Sequence, residues 1–438
     1  MTEQARTIQP AIDISELIPI GISLAEALAG RHAQGHFGNV EGVFGNVMGD
    51  HATISLQQNQ VPTSESPSAA QDDIRDAARL LMSATLSSLP TDQHISNEHL
   101  YGHLCWLRPD LSPELMSVLG DAVGQAPNQP IPDAVTLWAR LLQAQAVATV
   151  RAQCPENPQL GFQIAHDTHI GLHKSRMGQV NQDALYYQQH FDDSTGRRDV
   201  SVDLLVVADG ISVSTAGSGD LASALLVQTL ASAFQSESDR LLNAEYSDIE
   251  TFLNEVIHRA NEVICRASVQ LVGGALGQEI PMGTTCIIAI IKGSDVVLAS
   301  LGDSRAYLVS SSGVGLLTGD QNLRGEWLWA SQSDVPFDLQ GRGHALVGYV
   351  GHFDENGAPE ALRPTIRRIT MLPGETLVMC TDGLTDYAAT THTEIAKIIN
   401  SALDADDLMV SARTLVNAAN AAGGGDNITV LIARSCHL

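Results

Sequence analysis

The chain has 438 residues, of which 44% are hydrophobic and 17% charged, so we expect a large globular core and at least two domains. Its formal net charge of -26 disfavours nucleic acid and anionic membrane surfaces as partners. The sequence contains neither an apolar run long enough for a membrane helix nor a signal-peptide pattern, which predicts a cytoplasmic protein. Its six cysteines form no CxxC pair, which indicates reduced core cysteines.

Residues 1–155 predict a mainly helical accessory region. Helical patterns occupy 71–89, 112–123 and 133–152, and 57–70 has the composition of a linker. A metal role for His94, His99 and His103 stays open, but their spacing matches no established motif. The sequence assigns no chemistry to this region, and we expect either a packed elaboration or a domain that recruits a partner.

From about residue 156 onward, short apolar runs end or begin at an acid. Asp209, Asp303 and Asp382 follow three such runs, and Asp426 precedes another. An acid at the end of a buried strand is held rigidly, and these acids have no matching cluster of Lys or Arg. Several carboxylates arranged in this way indicate an oxygen-ligand site for a hard cation.

The order of predicted elements defines the fold class. Strands come first, then helices over 218–236 and 247–271, more strands, a long irregular segment over 320–362, two further helices and a final strand. Because helices and strands come in blocks, the expected class is α+β with largely antiparallel pairing. The irregular segment is typical of a functional loop.

Seven short segments carry a family resemblance. In chain order they are GQVNQDA (178–184), VADG (207–210), MGTT (282–285), LGDSRAY (301–307), LTGDQ (317–321), CTDGLTD (380–386) and GDNITV (425–430). Together they resemble the metal-dependent protein phosphatases of the PP2C (PPM) family, in a bacterial-type variant. The resemblance covers residues 162–438 and implies an α-β-β-α sandwich of two antiparallel sheets over 156–438, preceded by the helical region.

The resemblance also implies a centre of two Mn²⁺ or Mg²⁺ ions, with a position for a third. The residues that match its metal ligands are Asp183, Asp209, Gly210, Asp303, Asp382, Asp386 and Asp426. Asp209 would bridge two ions, Asp183 would act mainly through a metal-bound water, and Asp303 and Asp386 would hold the third ion. The implied activity is hydrolysis of phosphoserine and phosphothreonine in proteins by a hydroxide that bridges two ions.

Two departures from the family pattern leave roles open. Gly178 stands where the family usually has an Arg that contacts the phosphate, so Arg176, Lys174 or His173 would have to replace it. Ile211 stands where a His often protonates the leaving alkoxide. His173 and His344 are candidates for that role. We therefore expect Asp183, Asp209, Arg176 and His173 as catalytic residues, and we keep open a weak or inactive regulator that binds a phosphoprotein without turnover.

Overall fold

The computed structural model describes residues 14–40, 43, 67–85, 96–124, 131–154, 160–191, 201–330, 342–389 and 391–437. His94, most of the predicted linker over 57–70, the expected domain boundary at 155–156 and part of the irregular segment over 320–362 lie outside these residues.

The described residues of the N-terminal part contain five helices. They are α1 (Ile14–His32), α2 (Pro67–Ala84), α3 (Asn97–Leu107), α4 (Pro113–Val123) and α5 (Ala134–Gln153). Local capping explains where two of them begin. Ser112 Oγ accepts the Leu115 N–H at 3.2 Å ahead of α4, and Asp133 Oδ1 accepts the Thr136 N–H at 2.7 Å ahead of α5. The mainly helical character expected for this region is confirmed.

Ten strands and seven helices follow in the part of the chain that the structure describes. The strands are β1 (Leu160–His169), β2 (Asp183–Phe191), β3 (Ser201–Asp209), β4 (Cys286–Lys292), β5 (Asp295–Leu301), β6 (Arg305–Ser310), β7 (Gly313–Leu316), β8 (Thr365–Thr370), β9 (Thr376–Cys380) and β10 (Ile428–His437). The helices are α6 (Leu172–Arg176), α7 (Gly219–Leu242), α8 (Tyr246–Leu271), α9 (Leu323–Ala330), α10 (Asp382–Ala388), α11 (His392–Leu403) and α12 (Leu408–Ala421). None of the described helices is both long and apolar enough to span a membrane.

The strands form two five-stranded antiparallel sheets. Sheet 1 has the order β1-β10-β9-β6-β7, and sheet 2 has the order β2-β3-β4-β5-β8. Their inner faces share one apolar core, to which Val207 and Ile287 contribute from sheet 2 and Leu308 and Leu431 from sheet 1. Alternate residues of the same strands face outward and meet helices. The expected α+β sandwich is confirmed.

Helices cover both outer faces. Val206 of sheet 2 packs in a core with α7 and α8. Sheet 1 shares its outer core with α11 and α12 and with the N-terminal helices, so that Leu24 and Leu119 belong to the same apolar cluster as Val378 and Leu415. The division of the chain at residue 156 stays a prediction, but the described N-terminal helices do not form a core of their own.

A buried ion pair links the N-terminal helices to sheet 1. Arg151 of α5 donates to both carboxylate oxygens of Glu375, at 2.7 and 2.8 Å, just before β9. The same guanidinium donates to the Thr370 carbonyl at 2.7 Å and pairs with Glu114 of α4. Both carboxylates depend on Arg151 for their partner, because a buried charge without a partner costs free energy.

Candidate metal centre

Strand pairing places two of the expected ligands opposite each other. Asp183 begins β2 and Asp209 ends β3, and the antiparallel register makes them direct partners. Gly210 follows at a crowded position, where an added Cβ would lie 2.1 Å from the Gly219 carbonyl oxygen. Glycine is therefore required here by the close approach of another backbone segment.

The Met-Gly-Thr-Thr segment holds the end of β3. Thr285 N–H donates to the Asp209 carbonyl at 2.8 Å, and Thr285 Oγ1 accepts the Asp209 N–H at 3.0 Å. Thr284 Oγ1 donates to the same carbonyl at 2.9 Å. The two threonines thus fix the backbone that carries the Asp209 carboxylate. Sequence analysis found this segment but gave it no role.

Thr381 connects the ends of the two sheets. It lies between β9 and Asp382, the first residue of α10, and its Oγ1 donates to Asp183 Oδ2 at 3.0 Å. Thr381 Oγ1 also accepts the Thr429 N–H of β10 at 3.0 Å. The hydroxyl therefore orients a carboxylate of sheet 2 from sheet 1. Sequence analysis missed this residue because its partners lie far away in the chain.

The carboxylates at this junction raise one another's pKa values. Burial, followed by the charge of Asp426, raises the pKa of Asp183 to about 6. Burial, followed by the charges of Asp386 and Asp426, raises the pKa of Asp382 to about 7. Burial and the neighbouring carboxylates raise the pKa of Asp209 well above its usual range. Asp209 and Asp382 are within hydrogen-bonding reach, so one of them must hold a proton in the absence of a cation.

Within the described residues, two buried oxygens of this cluster have no hydrogen-bond partner. They are Asp183 Oδ1 and Asp382 Oδ1. Among the residues that the structure describes, no three acidic, imidazole or thiolate groups are already closed around a common point as a ligand cage. Mg²⁺ takes only one or two carboxylates and keeps several waters, so it does not need such a cage. The oxygen-only donor set and the two unpartnered oxygens fit hard divalent cations.

Asp303 and Asp386 lie beside this junction, on a cavity of about 410 Å³ that Asp382 also lines. Burial, followed by the charges of Asp382, Asp320 and Asp386, raises the pKa of Asp303 well above its usual range. Burial also raises the pKa of Asp386. His344 lines the same cavity. The structure therefore groups Asp303 and Asp386 as the resemblance implied.

The three candidates for the missing arginine differ in their placement. Arg176 and His173 are exposed. Lys174 on the same short helix is 11% exposed, forms an ion pair with Asp426, and donates to Asn427 Oδ1 at 3.4 Å. The roles expected for Arg176 and His173 stay predictions, and of the three only Lys174 lies against an expected metal ligand.

Asn427 is a further residue that sequence analysis quoted but did not interpret. Its Oδ1 accepts the Gln182 N–H at 2.9 Å, and its Nδ2 donates to the Ile170 carbonyl at 2.9 Å. It thereby holds the loop that precedes Asp183 against the start of β10. The segment GDNITV at 425–430 combines an expected ligand, Asp426, with this structural amide.

Comparisons with known proteins agree with this architecture. The sequence profile of the family described as protein phosphatase 2C matches residues 170–417. The serine/threonine phosphatase stp of Listeria monocytogenes is 32% identical over 232 residues, which are 52% of this chain and 83% of that protein. Protein phosphatase PhpP of Streptococcus pneumoniae is 29% identical over 266 residues, which are 58% of this chain and 93% of that protein.

Solved structures are similar at lower identity. The serine/threonine phosphatase PstP/Ppp of Mycobacterium tuberculosis is 24% identical, and the match covers 63% of this chain and 99% of that one, with a TM-score of 0.46. The family profile and the relatives, taken with the two sheets and the order of the acidic segments, lead to one conclusion. The chain belongs to the protein phosphatase 2C family and is a protein-serine/threonine phosphatase of this type.

Proposed function

We propose that this chain hydrolyses phosphoserine and phosphothreonine in phosphorylated proteins with the help of two Mn²⁺ or Mg²⁺ ions. The observation that carries the proposal is the cluster of mutually repelling carboxylates at the joined ends of the two sheets. The residues that would hold the ions are Asp183, Asp209, Gly210 through its carbonyl, Asp382 and Asp426. Asp303 and Asp386 would hold a third ion.

The ions, when bound, would lower the pKa of a water so that it becomes hydroxide near neutral pH, and would neutralise charge on the phosphoryl oxygens. The chain's own residues position the reactants. Thr381 fixes the Asp183 carboxylate through its hydrogen bond. Thr284 and Thr285 fix the backbone at Asp209. Rigid positioning of this kind lowers the entropic part of the barrier.

Lys174 supports the proposal as the cation for the phosphoryl group. Its ammonium lies beside Asp426 at the edge of the cluster, where a phosphoryl oxygen would compete for the same charge. The leaving alkoxide needs a proton, and the aliphatic Ile211 has none to give. His344 lines the cavity and His173 does not, so His344 is the better placed of the two histidines for that transfer.

The test is hydrolysis of p-nitrophenyl phosphate by the purified chain, with Mn²⁺ or with EDTA, beside Asp209→Asn and a matched control. Asp203→Asn is that control, because Asp203 is an acid of the same strand, six residues and about 20 Å from Asp209. We expect Mn²⁺-dependent turnover that Asp209→Asn abolishes and Asp203→Asn retains. Equal activity in Asp209→Asn and the wild type would contradict the proposal.

A second candidate function is a regulator that binds a phosphoprotein without turnover. The exposed Gly178 and the Ile211 side chain favour it, because both lack the group that usually assists the reaction. Mn²⁺ binding measured by calorimetry, compared with hydrolysis by the same preparation, separates the two functions. Mn²⁺ binding and phosphopeptide binding without any hydrolysis would establish the regulator in place of the enzyme.

A further inference from the structure

Helix α3 of the N-terminal region forms one wall of the cavity that holds Asp303, Asp382 and Asp386. Glu98, His99 and His103 line this wall. The cavity volume, about 410 Å³, lies in the range of pockets that take a small ligand or a few side chains. The region to which sequence analysis assigned no chemistry therefore borders the expected metal centre directly.

Hydrogen bonds hold α3 against the segment LTGDQ at 317–321. The Asp320 N–H donates to the Gly102 carbonyl at 3.1 Å, and His103 Nδ1 donates to the Asp320 carbonyl at 2.7 Å. The fit is tight, since a Cβ on Gly319 would lie 2.1 Å from the Trp106 backbone nitrogen. This wall is thus part of the cavity's fixed structure.

A second contact crosses from α3 to the start of α9. Arg324 Nη1 donates to His99 Nε2. Because a guanidinium can only donate, Nε2 must accept, and the proton of the neutral ring therefore lies on Nδ1. That nitrogen donates to Ser96 Oγ at 2.8 Å. Burial of part of the ring, together with the charge of Arg324, lowers the pKa of His99 to about 4, which keeps the ring neutral.

Arg324 is the cation of this cavity that lacks a carboxylate partner among the described residues. Arg305 is paired with Asp320 through two hydrogen bonds, at 2.9 and 2.7 Å. Glu98 is only partly ionised at neutral pH, because burial raises its pKa to about 7. The carboxylates Asp303, Asp382 and Asp386 would be neutralised by the ions of the proposed function. What remains is a half-buried guanidinium on the cavity wall, held by a histidine of the N-terminal region.

We infer that Arg324, positioned by His99 of α3, binds an acidic or phosphorylated side chain that neighbours the phosphoresidue of the substrate. The inference rests on the proposed function, since it names the class of phosphoprotein that the same site would take. A guanidinium forms two parallel hydrogen bonds with a carboxylate or a phosphate, which gives selectivity as well as attraction. The N-terminal helices then contribute to substrate choice through one side of the cleft.

The experiment compares phosphothreonine peptides that carry Asp, Ala or Lys at the positions flanking the phosphothreonine. It measures kcat/KM for wild type, Arg324→Met, His99→Ala and the control Arg240→Met, whose guanidinium lies on α7 and pairs with Glu237. We expect the wild type to prefer the Asp peptide over the Ala peptide. Arg324→Met should reduce that preference about tenfold, mainly through KM, and His99→Ala about threefold, while Arg240→Met retains it.

Turnover of p-nitrophenyl phosphate by the wild type, in the same preparation, reports on the proposed function separately. Wild-type turnover without a preference for acidic peptides would overturn the inference and leave the proposed function intact. An equal loss on all three peptides in Arg324→Met would overturn it as well, because the residue would then act on the shared reaction. A near-ultraviolet circular dichroism spectrum like that of the wild type confirms that each variant is folded.

Discussion

Two groups of acids in this molecule lie within the same cleft yet have opposite electrostatic environments. Asp320 is buried, which alone would raise its pKa, but Arg305 beside it lowers the pKa below the usual range. Asp209 and Asp382 have no such arginine, and burial with neighbouring acids raises their pKa values. The chain places a cation beside the structural acid Asp320, whereas Asp209 and Asp382 have none in the part that the structure describes.

This difference indicates that the acids of the candidate centre lack a cation. An internal ion pair satisfies Asp320 completely, with two hydrogen bonds to Arg305, so it has no need of a ligand. Asp183 and Asp382 each retain a buried oxygen without a partner. Leaving a charged group in that state costs free energy unless a cation arrives from outside the chain. Perturbed acids that cluster in a cleft are typical of functional sites.

The first prediction breaks the structural pair. Arg305→Met leaves the buried Asp320 without its cation, and we expect the free energy of unfolding to fall by about 3–5 kcal/mol. Urea denaturation followed by circular dichroism measures the change. Arg240→Met, which removes an exposed ion pair on α7, should cost no more than about 1 kcal/mol. The double variant Arg305→Met/Asp320→Asn should recover part of the loss, and a cost for Arg305→Met equal to that of Arg240→Met would refute the comparison.

The second prediction concerns Lys174, which forms an ion pair with Asp426 at the edge of the acidic cluster. Lys174→Met should lower kcat/KM for p-nitrophenyl phosphate about 100-fold, because a preorganised charge at a developing phosphoryl charge typically contributes that much. Lys174→Arg should retain most of the activity. Arg176→Met, on the exposed side of the same helix, should change kcat/KM less than threefold, or about 0.6 kcal/mol. A larger loss of kcat/KM in Arg176→Met than in Lys174→Met would show that Arg176 is the cation for the phosphoryl group.

The sequence predicts the sandwich and its acidic strand ends because these depend on short segments. An apolar run that ends at Asp209 or Asp382 contains both the strand and the acid within a few residues, so no distant contact is needed to recognise it. The antiparallel register then pairs Asp183 with Asp209. These parts of the centre follow from local pattern and family resemblance together.

The role of α3 cannot be read in the same way, because its contacts are distant in sequence. His103 reaches Asp320 across 217 residues, and nothing in the helical pattern of α3 specifies that partner. Whether Lys174 or Arg176 lies against Asp426 depends on the turn at Gly171. This residue has φ 83° and packs against the Asp426 carbonyl. Which side chain of a five-residue helix faces the site is decided by that turn, and spacing alone does not show it.

The last prediction uses the pH dependence of stability to test whether the acidic cluster lacks a cation. Asp183 and Asp382 have folded-state pKa values of about 6 and 7, above the value of about 4 expected in the unfolded chain. At these two groups the metal-free native state therefore binds more protons than the unfolded state between pH 4 and 7, so their contribution to stability is full below pH 4 and is lost as pH rises through 7. Mn²⁺ should offset that loss, and the Mn²⁺-induced rise in Tm should be larger at pH 7.5 than at pH 5.5 by about 1 °C for each kcal/mol regained, given the length of the chain. Thermal unfolding with Mn²⁺ or EDTA at both pH values measures it. Asp382→Asn should flatten the metal-free dependence relative to the wild type, because it removes a carboxyl group whose folded-state pKa is about 7. An equal Mn²⁺ effect at both pH values would show that repulsion among the acids of the cluster does not cause the loss of stability.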